Sequence, residues 1–83
     1  MPISHTRAIE RIARVLAAQR LSANAGGGEH SAASDVDATW VDYRADAVAV
    51  LRTLREPDAA MAAVGDPAIW EAMVVAALGD AAD

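Results

Sequence analysis

The chain has no cysteine, no lysine and no phenylalanine, and its aromatic side chains are Trp40, Tyr43 and Trp70 alone. Without cysteine there is no disulfide and no thiol chemistry, which suits a reducing compartment. Without lysine every basic side chain is a guanidinium, a bias we attribute to GC-rich coding rather than to chemistry. Long hydrophobic runs are missing too. No window approaches the length of a membrane-spanning helix, and the opening "MPISHTRAIERI" has no apolar stretch ahead of a small-residue cleavage site. The expectation is a soluble, cytoplasmic protein with no membrane partner.

What is present is alanine and acid. The 83 residues are 54% hydrophobic, but much of that share is alanine, which gains little from burial. A single domain spanning 1–83 therefore has a thin core, with no cysteine and no evident metal site to reinforce it, and oligomerisation is expected. The net charge of −5 is unevenly distributed: residues 1–20 carry +3 through Arg7, Arg11, Arg14 and Arg20 against Glu10, and the remainder carries −8. An acidic body argues against general nucleic-acid binding, whose affinity comes mainly from basic side chains on phosphates.

Helical periodicity runs through most of the chain. Residues 6–21 place Ile9, Ile12, Ala13 and Leu16 on one face and Arg7, Arg11 and Arg14 on the other, with Ser4 or Thr6 as the cap and Glu10 to Arg14 as an i,i+4 pair. Residues 22–36 have neither period nor large apolar content, and "GGG" maximises backbone freedom, so a flexible loop is predicted. A helix over about 38–55 follows, capped by Asp37 or by Thr39 with Asp42. It carries a main stripe of Trp40, Tyr43, Ala47, Val50, Leu51 and Leu54, and a second stripe of Val41, Ala45 and Val48. Pro57 ends it. Asp58 then caps a short helix over 59–64, with Gly65 in the place of a left-handed C-terminal residue. Asp66 and Pro67 open the last helix, 67–78, which is apolar almost all round apart from Glu71.

These patterns carry little catalytic chemistry. The 59–78 segment has the outline of a helix-turn-helix, yet its second helix has no Arg, Lys, Asn, Gln, Ser or Thr to read bases. "GGGEHS" lacks the lysine and spacing of a phosphate-binding loop. His5, Glu29, His30, Asp35 and Asp37 have no zinc-like spacing, and Asp42 with Asp46 reads as an exposed helical surface rather than an acid/base pair. No catalytic, cofactor-binding or metal-binding residue is assigned.

The stretch "WVDYRADAVAVLRTLREPDAAMAAVG", residues 40–65, followed by "WEAMVVAAL", residues 70–78, resembles small uncharacterised helical proteins of bacterial and bacteriophage genomes. They share a W-x-x-Y segment, an L-R-E-P corner, an A-M pair with a following Gly, and W-x-x-M-x-x-A-A-L. No activity is known for that group, so the resemblance transfers no functional residue; it implies that the Trp and Met positions belong to a shared fold.

The fold expected is all-α: a small three-helix bundle with an additional short helix at the 57–66 corner. Its core should join Trp40, Tyr43, Leu51, Leu54, Met61, Trp70 and Met73 to Ile9, Ile12 and Leu16. The function expected is that of a non-enzymatic, self-associating protein-interaction module, a homodimer of phage-derived accessory type that also takes another protein. Its interface would be Val41, Ala45, Val48, Val74, Val75 and Leu78. The alternative is a small nucleic-acid-associated regulator using Arg7, Arg11 and Arg14.

Overall fold

The computed structural model describes residues 2–25 and 33–79, and all regular structure among them is helical. Helix α1 spans Ala8–Ala25 and α2 spans Ala33–Thr39; a tight 3-10 turn, Trp40–Tyr43, leads directly into α3, Arg44–Leu54. Helices α4, Ala59–Val64, and α5, Pro67–Leu78, complete the chain. None of them is long and apolar enough to cross a membrane.

Helix α1 lies against α2, the 3-10 turn and α3, while α5 packs on α3 and on α1. Ile9, Ala13, Ala47, Leu51, Val74 and Leu78 meet in one buried cluster, flanked by half-buried Ile12, Trp40, Tyr43, Val48 and Trp70. The alanines are what let the helices approach. Ala13 and Ala47 are fully buried, so the axes of α1 and α3 come close at a point where a longer side chain would have no room.

The corner forms as its capping residues dictate. The Asp58 carboxylate accepts from the Met61 amide at 2.9 Å, and Asp66 accepts from Ala68 and Ile69 at 2.8 and 3.4 Å, with Pro67 in the first turn where it lacks nothing by having no N–H. Trp70 closes the corner by donating its indole N–H to the Leu54 carbonyl at 2.7 Å, satisfying one of the orphan acceptors at the end of α3. Gly65, however, is extended (φ −154°, ψ −174°) rather than left-handed, so the α4–α5 link is an open bend with no helical C-cap. Gly79 alone among the described residues has positive φ, at 57°.

Several local expectations are corrected. The segment expected as a flexible loop over 22–36 is helical at both ends: α1 continues through Ala25 and α2 begins at Ala33, and 26–32 lie outside the described residues. Alanine favours helix and nothing in "SANA" breaks it, while the burial of Val36 and the contact of α2 with α1 order a segment whose own periodicity is weak. Thr39 caps nothing: it is the last residue of α2, its hydroxyl donates back to the Asp35 carbonyl at 2.6 Å, and the backbone tightens into the 3-10 turn at that point. Nor do Ser4 and Thr6 cap α1, because the Ser4 hydroxyl and the Thr6 backbone bond to each other. Leu54 and Met73, expected in the core, are exposed.

Candidate interaction surfaces

The six residues expected to form an interface do not share one surface. Val74 and Leu78, 4% and 1% exposed, belong to the chain's own core, because α5 turns its Trp70, Val74, Ala77 and Leu78 face inward onto α1 and α3. Val48 is half-buried against the same cluster. Val41, Ala45 and Val75 remain exposed. A helix that is apolar all round gives no polar mark to show which side turns inward.

The arginine face divides as well. Arg14 donates through Nε to Glu10 at 2.8 Å and through Nη1 to Asp37, and its guanidinium carbon lies 5.5 Å from the centre of the Trp40 ring. Asp37 first, then Glu10, raise its already high pKa further by hydrogen bonding to the charged form. This cation ties α2 and the 3-10 turn to α1, a role that sequence spacing shows for Glu10 and hides for Asp37, which is 23 residues away. The guanidinium of Arg7 rests at the end of α5, so near that a Cβ on Gly79 would lie 2.7 Å from Nη2. Arg11 is exposed and lines an apolar groove.

That groove, about 490 Å³, lies between α1 and α3. Ala8, Ile12, Val15 and Leu16 form one wall, Val50 and Leu51 the other, and among the described residues Arg11 is the only charged side chain on it. Sequence reasoning missed it: Ile12, Leu16 and Leu51 read as core residues, and Val15 lay just off the assigned stripe. A second cleft, about 270 Å³, opens at the corner between Pro57, Met61, Val64, Pro67 and Trp70. A third, smaller one near Arg7, Glu10, Trp40 and Arg44 is more polar. Asp42 and Asp46 stand exposed on the surface.

The outer side of α5 is an apolar helix face left open. Ile69 and Met73, 60% and 61% exposed, stand one turn apart beside a row of exposed Ala68, Ala72 and Ala76 at four-residue spacing, with Val75 on the far side of that row. Comparison with protein-family models, with curated proteins and with solved structures finds no match to this chain.

Proposed function

We propose that this chain is a non-enzymatic helical module that works by associating with a second copy of itself, and that it serves as a cytoplasmic accessory protein of phage-derived type. Its architecture is then read as a three-helix bundle of α1, α3 and α5, with α4 as the corner. One observation carries the functional reading. The large side chains buried by the fold are Ile9, Val36, Leu51, Val74 and Leu78, whereas Ile3, Val15, Val41, Val50, Leu54, Val64, Ile69, Met73 and Val75 are exposed, so more large apolar side chains lie outside than inside. Single exposed hydrophobic residues are ordinary on any protein; a groove and a whole helix face left open on so small a core are not.

The main groove and the corner cleft are walled mostly by apolar side chains, a lining suited to another protein's side chains rather than to proton or group transfer. Nucleic-acid binding through Arg7, Arg11 and Arg14 gains no support, because Arg14 is occupied by two carboxylates and Arg7 is folded against Gly79. Light scattering across a size-exclusion peak, from high to low micromolar protein, tests the reading. A mass of twice the chain that falls toward one chain on dilution is expected. A single-chain mass at every concentration would refute self-association.

A further inference from the structure

Two surfaces of the chain are apolar and carry single charges of opposite sign. The α1–α3 groove is apolar and carries one charge, the exposed Arg11 on its rim. Helix α5 also carries one charge, the exposed Glu71. Neither makes an ion pair within the described residues. At 3.6 residues per turn, Glu71 lies at the edge of the open face of α5, next to Val75, with the alanine row beyond it and Ile69 and Met73 on the other side. That face is therefore shallow along its centre, bulky along one side and acidic along the other.

We propose that the α1–α3 groove of one copy is the seat of α5 from a second copy. The row of Ala68, Ala72 and Ala76 lets the helix axis approach closely. Ile69 and Met73 fill the space between Ile12, Val15 and Val50, and Glu71 meets Arg11 at the rim. A ridge at four-residue spacing is the kind that fits between two helices. The contact lengths agree as well: the row from Ala68 to Ala76 covers about 12 Å of α5, and the groove wall from Ala8 to Leu16 runs about 12 Å along α1. The contact joins two different surfaces, so a dimer is closed only when a two-fold axis lets it form twice, once in each direction.

The proposal rests on self-association, and charge reversal separates its failure from failure of that broader reading. Arg11 and Glu71 are exposed, so at protein concentrations low enough to hold the chain monomeric Arg11→Glu, Glu71→Arg and the double variant should keep the helical circular dichroism and thermal melting of the native chain. Each single reversal should weaken association by about fivefold or more, since it replaces an attraction with a repulsion. The double variant, which restores opposite charges, should return to within about twofold of the native value. Association that is indifferent to both single reversals, or that the double variant fails to restore, would overturn this seat for α5 while leaving self-association standing. A native chain that is monomeric throughout would overturn both, and the groove would then be open to a different protein.

Discussion

Helices α1 and α5 contribute alike to the core, yet only one declares its orientation. On α1 the buried residues Ile9, Ala13 and Ala17 recur every four positions, and Glu10, Arg11, Arg14 and Gln19 occupy the other faces. On α5 the buried residues Val74 and Leu78 have the same spacing, but the opposite face holds Ile69, Met73 and alanines, and Glu71 is the single charge. The contrast shows that amphipathicity encodes direction and hydrophobicity alone does not. Polar side chains on α1 raise the free energy of every rotation but one, whereas α5 is oriented by what it must fit: the space beside Ala47 and Leu51.

The sharpest way to break the comparison is to cut into the buried face of α5. Leu78 is almost fully enclosed, so Leu78→Ala should destabilise the fold by about 2–5 kcal/mol, a loss large enough to unfold much of a domain this small. Chemical denaturation followed by circular dichroism measures it. A loss below about 1 kcal/mol would mean that α5 does not anchor the core and that its orientation is not fixed by packing.

Overfilling tests the α1 side. Ala13 has no exposed surface and faces the cluster formed with Ala47, so Ala13→Leu should cost about 1–3 kcal/mol by forcing α1 and α3 apart. Thermal melting of the variant beside an Ala18→Leu control, at a position that is only half-buried, separates crowding from a change in helix propensity.

What could be read from residues alone follows the same division. The caps at Asp58 and Asp66 and the proline stop at 57 were legible because each is a local bargain between one side chain and the nearest free amides. The apolar face of α1 was legible because its neighbours are charged. The true outer face of α5, the exposure of Leu54 and Met73 and the groove beside Arg11 were not, since each depends on which of several equally apolar faces meets a helix distant in sequence. Thr39 misled for another reason: a Thr followed three residues later by Asp resembles a cap, but a hydroxyl inside a helix has a carbonyl four residues back within reach, and here it takes that partner.

A smaller effect sharpens the account of how α5 begins. Asp66 is exposed and touches the core with nothing, yet its carboxylate holds two amides of the first turn. Asp66→Ala should cost about 0.5–2 kcal/mol, with Asp66→Asn retaining most of the stability because its amide oxygen still accepts. Equal losses in the two variants would show that charge beside the helix dipole, rather than the hydrogen bonds, is what Asp66 supplies.

The smallest expected change is the most informative about orientation. Met73 is adjacent in sequence to buried Val74 and is as apolar as anything in the core, yet 61% of it faces out. Met73→Gln keeps a similar length and helix propensity, so at protein concentrations low enough to hold the chain monomeric its effect on stability should stay within about 0.5 kcal/mol. Raising the concentration should then separate variant from native, because a native chain gains stability from any partner that binds only the folded form, and a variant with a polar group on that face gains less. A difference already present in the dilute monomer, comparable to that of Leu78→Ala, would mean that Met73 points inward and α5 is rotated from the position described. A difference that grows only with concentration would place Met73 on a surface used between copies, and the second apolar face of α5 would then have a physical reason to exist.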